Sequence, residues 1–478
     1  MADRLVVSSR NPRYFTNASG RAVYLTGSHV WNNLHDGLGL GPACAEVPEP
    51  FDFDAYLRFL KERNHNFIRL WRWEQFRSRT AGDKAHLCAA PQPWPRTGPG
   101  AAKDGRAKFD LSQFDAAFFD RLRARVDAAG RQGIYVAVML FEGWGLHLSP
   151  APDHVEGHPF HAANNINGIG IASINDVQVL PLDERIERLQ QAYIENVIDT
   201  LHDLPNVLYE VANESCGGGT VDPKFARMLG LVDAPDWGDS TPWQFWVIDV
   251  VKRYEEQQGY DLHPIGMTMQ FPVADQTKVN DPLFRSNATW ISPGYDDDIF
   301  ADGRQHPMAP GSPPSRWYAD PPASDGRKVI LSDTDHYAPG KGGALWAWKS
   351  FLRGHHPILM DFGLLGGMSA PDPKFEATRY AMGDTRRYAE RMNLIEMQPR
   401  DDLASTRFAL ANPGREVLVL QPDDGSFRVT LEAGAYEVEW YSVDTRETQR
   451  GDDLTSHNGE TTLRAPFAGP CVVYLRAR

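Results

Sequence analysis

The 478-residue chain is short of three things. Its four cysteines, Cys44, Cys88, Cys216 and Cys471, are scattered and form no pair at zinc-ligand spacing. Neither a disulfide scaffold nor a metal finger is expected, and the thiols are expected to be free. Positive charge is scarce: 49 basic residues against 63 acidic ones leave a formal net charge of -14, which argues against a protein that tracks nucleic-acid phosphates. No apolar run approaches the ~18–20 residues of a membrane span. The opening Met1-Ala2-Asp3-Arg4 lacks the charged and apolar regions of a secretory signal, so the expectation is a cytoplasmic protein, or a secreted or periplasmic one whose signal is removed. With 42% hydrophobic and 23% charged residues, disorder, collagen-like repetition and coiled coil fit poorly.

What is plentiful is tryptophan, 13 in all, clustered beside Gly, Asn and acidic residues. Aromatic rings on irregular loops suit a flat amphipathic ligand such as a carbohydrate. Along the first ~400 residues, short β-like runs alternate with helical stretches, the mark of βα units and a parallel sheet. The spacing predicts strands at 23–27, 66–71, 134–141, 207–211, 264–269, 289–292, 328–332 and 357–360. Helices are predicted at 53–63, 114–130 and 183–201, with another opened by Thr241-Pro242 as N-cap and first turn. Eight strands in this rhythm predict an α/β fold, a (β/α)8 TIM barrel over 1–398 with an N-terminal β segment. From Pro399 to 478 the pattern turns to alternating apolar and polar residues, as in 416–420 and 436–441, predicting a small C-terminal antiparallel β-sandwich. Loops after strand C-termini should carry the chemistry.

The sharpest signal is Leu208-Tyr209-Glu210-Val211-Ala212-Asn213-Glu214, a buried-looking fourth strand running into an Asn-Glu pair. It resembles the acid/base signature of clan A glycoside hydrolases. The resemblance implies that Glu214 protonates the leaving glycosidic oxygen while Asn213 holds a sugar hydroxyl. A second carboxylate is required across the bond. The seventh strand ends in Ser332-Asp333-Thr334-Asp335-His336, where the clan usually has Glu. Asp333 is taken as the catalytic partner and Asp335 as its alternative, with a pair of capping aspartates as the bland reading. Arg69, on the second strand, resembles the clan's carboxylate-bracing Arg, with Glu210 as its buried partner. Tyr295 resembles the Tyr that hydrogen-bonds the nucleophile. The opening Asn11-Pro12-Arg13-Tyr14-Phe15 and the terminal β module resemble the apiosidase-like branch, whose members often carry a module labelled collagen-binding.

His29, Trp31 and Asn32 follow the first strand, Glu142 and Trp144 the third, and Gln270 the fifth. Together with Trp71, Trp73, Trp290 and His336, these are candidates for contacts with sugar hydroxyls and ring faces. Trp243, Trp246, Trp346 and Trp348 lie in helical stretches and read as core. The run 164–168 either reaches the cleft or forms a turn cluster. The expected activity is O-glycoside hydrolysis through a carboxylate pair, with retention of configuration. The expected partner is a carbohydrate substrate, without cofactor, nucleic acid or membrane, and the oligomeric state is open. Two other readings remain. One is a metal-dependent hydrolase using His29, Asp333, Asp335 and His336, disfavoured by the lack of a His-x-His or His-Glu-x-x-His run. The other is a non-catalytic carbohydrate-binding protein.

Overall fold

A computed structural model describes residues 2–36, 50–78, 87–148, 153–221, 226, 236–294, 315–337 and 342–478. Eight strands form one parallel sheet: β1 (Gly27–His29), β2 (Phe67–Leu70), β3 (Tyr135–Glu142), β4 (Val207–Asn213), β5 (Ile265–Thr268), β6 (Trp290–Ser292), β7 (Val329–Asp333) and β8 (His356–Met360). Hydrogen-bonded neighbours run β1-β8-β7-β6-β5-β4-β3-β2. The Asn66 amide donates to the Thr26 carbonyl at 2.9 Å, just before β2 and β1, which brings the two ends of the sheet together as a barrel. Its strands are buried on both faces, as a parallel sheet wrapped by helices must be.

The principal helices are α1 (Phe53–Glu62), α2 (Ala116–Arg131), α3 (Glu184–Leu201), α4 (Thr241–Gln258), α5 (Ala344–Leu352) and α6 (Glu376–Arg391). Their starts are written in the sequence. Asp52, Asp115 and Asp183 accept hydrogen bonds from first-turn amides of α1, α2 and α3. The cap of α4 falls one residue earlier than expected, on Ser240, with Pro242 in the first turn. α1 shows why these segments dock: Tyr56, Leu57 and Leu60, at helical spacing, are buried together.

The first strand is also displaced from its expected place. Ala22–Val23 pairs antiparallel with Phe15–Thr16, which pairs with Val6–Val7, and the barrel strand begins only at Gly27. Ala2, Leu5 and Phe15 pack in one cluster with barrel-lining Phe67, Tyr135, Leu208, Trp290, Val329, Leu331 and Ile358. Trp290 thus fills the barrel interior near the strand starts, wholly buried, and is no sugar platform. Gly266 makes room for it: a Cβ there would lie 1.9 Å from the indole ring.

After Gln398 the chain forms a seven-stranded antiparallel sheet and a two-stranded ribbon, 426–431 with 459–464. Strand 416–421 alternates. Val417 and Val419 join Phe427, Val429 and Leu463 in the module's own core, while Leu418 and Leu420 join the large core that contains Trp346, Trp348 and Tyr388. The sheet is therefore apolar on both faces, sandwiched between the ribbon and helices α5 and α6. Tyr441 Oη and Arg446 Nε both donate to Asp384 of α6, at 2.5 and 2.7 Å.

Trp243, Trp346 and Trp348 are core, as expected, and Trp246 packs partly buried against them. The run 164–168 is a turn cluster: Asn165 Nδ2 bonds the carbonyls of Pro159, His161 and Ile169. Cys88 is disulfide-bonded, which corrects the expectation of four free thiols; Cys216 and Cys471 are free and buried. Among the described residues no helix is long and apolar enough to cross a membrane.

Candidate active site at the strand ends

Arg69 of β2 organises the site. Its guanidinium is wholly buried and grips Glu210 of β4 with two hydrogen bonds, 2.5 and 2.9 Å. It also donates to Asp333 Oδ2 at 2.8 Å and to Asn213 Oδ1 at 2.7 Å, and lies 3.5 Å from Asp335 Oδ2. One cation thus serves three carboxylates. A charge this deep inside a barrel is tolerable only because it is paired so fully.

Asp333, at the end of β7, is saturated. The Trp71 indole N–H donates to His29 Nδ1 at 2.8 Å, so the His29 proton sits on Nε2 and is donated to Asp333 Oδ2 at 2.7 Å. The other oxygen, Oδ1, accepts the Asp335 amide at 3.0 Å and caps the short turn Thr334–His336. Burial pushes the Asp333 carboxyl up, but His29 and Arg69 outweigh it and hold it well below the usual carboxylate range. With no exposed surface and both oxygens engaged, Asp333 has nothing to offer an anomeric carbon. This geometry disfavours Asp333 as the attacking group and favours the alternative, Asp335.

Asp335, two residues on, is different. Its side chain is 12% exposed, and among the described residues its one ion-pair contact is the long one to Arg69. Burial and then the negative Asp333 push its carboxyl up to about 6. Glu214 faces it from the end of β4. A Glu214 oxygen, an Asp335 oxygen and a His336 ring nitrogen all lie within 4.8 Å of one another. Burial, then the charge of Asp335, holds the Glu214 carboxyl well above its ordinary range. Its backbone has φ 44°, a left-handed conformation that costs a non-glycine residue of order 1–3 kcal/mol. The neighbouring strand holds it there. The Gly143 amide donates to the Asn213 carbonyl at 2.8 Å, and a Cβ on Gly143 would meet the Ser215 and Glu214 backbone at 2.6 and 2.8 Å.

His336 is buried, its Nδ1 2.8 Å from Ser292 Oγ and its Nε2 3.4 Å from Asn213 Oδ1. Burial, then Arg69, lowers it to about 3, so it is neutral. Trp31 is half-buried and meets Trp73 and exposed Phe362 edge-on at 5.9 and 5.6 Å, an aromatic wall beside the carboxylates' supporting Trp71. Trp71 is only 1% exposed and braces His29 rather than presenting a face. Trp144 opens a five-residue helix and is half-buried.

Two of the expected contacts are engaged within the protein. Gln270 is buried, bonding Cys216 O, Ser240 Oγ and Thr241 Oγ1, so it pins β5 to the start of α4. Glu142 is wholly buried, with both oxygens accepting the Gly145 amide. Burial holds it well above the usual range, so it keeps its proton beside Glu214. Tyr295 lies outside the described residues. The reading from sequence missed Phe362, although it follows β8 by two residues and the strand-end rule applied to the eighth strand points to it. It also missed Ser292, whose hydroxyl has no signature apart from its partner.

The metal quartet expected as an alternative is not assembled. His29 spends both ring nitrogens on Trp71 and Asp333, and Asp333 is locked by His29 and Arg69.

No family model matches the chain, and no curated protein matches it in sequence. Among solved structures it is similar to a protein described as a glycoside hydrolase, with a TM-score of 0.57 at 12% identity over 99% of this chain and 97% of that one. It is also similar to a family 5 glycoside hydrolase from Bacteroides vulgatus, with a TM-score of 0.56 at 12% identity over 99% and 94% of the two chains. At such identity the likeness is one of fold: the chain is a (β/α)8 barrel followed by antiparallel β sheets.

Proposed function

We propose that the protein is a retaining O-glycoside hydrolase in which Glu214 is the acid/base and Asp335 the nucleophile. The observation that carries this reading is the approach of the two carboxylates within 4.8 Å at the strand ends. Retaining enzymes hold the pair ~5–5.5 Å apart, whereas inverting ones leave ~6.5–9.5 Å for a water. The resemblance of the Asn-Glu pair to clan A and the names borne by the structurally similar proteins point the same way.

In the first step Asp335 attacks the anomeric carbon as Glu214 gives its proton to the leaving oxygen, forming a glycosyl ester and a free alcohol. In the second, Glu214, now ionised, takes a proton from water, whose oxygen displaces Asp335. The environments divide the roles: three carboxylates and one cation leave Glu214 as the member that keeps a proton. Asn213 Oδ1 is spent on Arg69, leaving its amide N–H groups for a sugar hydroxyl. The aromatic wall of Trp31 and Phe362 suits the apolar face of a sugar ring.

The apiosidase-like placement and a carbohydrate substrate belong to the same proposal, and the Cys88 disulfide favours a secreted or periplasmic setting. Proton NMR of the first-formed sugar tests the mechanism. Product appearing with the substrate's anomeric configuration supports it. Initial inversion overturns it and makes Asp335 a general base.

A further inference from the structure

We infer that the same pair of carboxylates, with His336, forms a zinc-binding site whose occupation shuts the cleft. Among the described residues this is the trio whose ligand atoms converge: one oxygen of Glu214, one of Asp335 and one nitrogen of His336, mutually within 4.8 Å. Ligands at ~2.0–2.2 Å from a tetrahedral zinc need small inward rotations from that starting point. Carboxylate, carboxylate and imidazole form a donor set that zinc accepts.

Three further features support ligation. Glu214 is 4% exposed, and its carboxylate makes no hydrogen bond to a described residue, so a nearly buried side chain reaches the trio with its oxygens unspent. Ser292 Oγ lies 2.8 Å from His336 Nδ1 and can accept a proton there once zinc displaces the long 3.4 Å contact of Nε2 with Asn213 Oδ1; such a second bond commonly orients a ligating histidine. The neighbouring candidates are all consumed: His29, Asp333 and Glu210 are tied to Trp71 or Arg69. Three protein ligands leave a fourth position open, which a water or a sugar hydroxyl would fill.

The inhibitory consequence rests on the glycosidase reading, because the ion takes both carboxylates the reaction uses. Binding itself does not. The experiment is calorimetric titration of the full-length, chelator-washed protein with zinc chloride alone, beside the E214Q and H336Q variants. The expected result is one saturable site per chain, weakened by at least about tenfold in each variant, since changes one shell further out already cost about 10–100-fold. E214Q breaks no hydrogen bond to a described residue, so it keeps the measurement interpretable should H336Q fold poorly. Where turnover is found, zinc should compete with substrate and a chelator should restore the rate. Absence of saturable binding at millimolar zinc, equal affinity in E214Q, or stimulation of the chelator-washed enzyme by zinc would overturn the inference. Heat of binding without any glycosidase activity would leave the site standing and remove the functional reading instead.

Discussion

Asp333 and Asp335 are chemically identical and separated by one residue, yet their surroundings drive them in opposite directions, and this is where the proposal is most exposed to test. Asp333 carries a depressed carboxyl, so its contribution to stability is present above the ordinary aspartate range and lost as pH falls. The Asp333→Asn variant leaves Arg69 and His29 short of a charge and should lose about 3–5 kcal/mol, the usual cost of breaking a buried pair. Asp335 has the reverse sign. Raised from 3.8 to about 6, it favours the folded state when protonated, and that advantage fades as pH climbs through about 6. Asp335→Asn should therefore melt higher than the parent at neutral pH while losing turnover. Urea and thermal unfolding of the two variants decide the matter: shifts of the same sign would contradict the division of roles. In the parent, kcat/KM should fall as pH drops through about 6, because the attacking carboxylate must be ionised. Glu214→Gln should slow hydrolysis of unactivated glycosides by ~10²–10⁴-fold and of aryl glycosides with good leaving groups less. Equal losses on both would deny it the acid role.

At the scale of elements, β6 and β5 show how tightly the barrel floor is set. Gly266→Ala would drive a methyl group into the Trp290 indole, and a loss of about 1–3 kcal/mol is expected in urea unfolding. Unchanged stability would mean that the floor is loosely packed. The same pair marks the limit of reading from sequence. Period and strand-end logic placed seven of the eight barrel strands, missed the first by a few residues, and brought Glu214, Asn213, Arg69, Glu210 and the seventh-strand aspartates to one mouth. They did so because apolar runs and caps are local signals. Trp290 was misjudged because adjacency to a strand end in sequence does not say which end of a three-residue strand a ring occupies. Asp333 and Asp335 could not be ranked, since the ranking depends on His29 and Trp71, which arrive from β1 and β2. Val23 was given to the barrel because an antiparallel edge and a barrel strand share the same residue types.

For the whole molecule, the feature that matters most is the terminal sheet with two apolar faces. Removing residues beyond 398 would bare Trp346, Trp348 and Tyr388 on α5 and α6 and strip Asp384 of Tyr441 and Arg446. Heat or denaturant should therefore unfold barrel and module in one transition, followed by far- and near-ultraviolet circular dichroism; two separated transitions would show independent units. The same feature bears on ancestry. A module that borrows half its interior from its neighbour is no interchangeable cassette: shuffled onto another barrel it would arrive with an unfinished wall. Substitutions along Leu418, Leu420, Tyr441 and Tyr474 would have to be matched by others on α5 and α6, so the two parts are expected to change together.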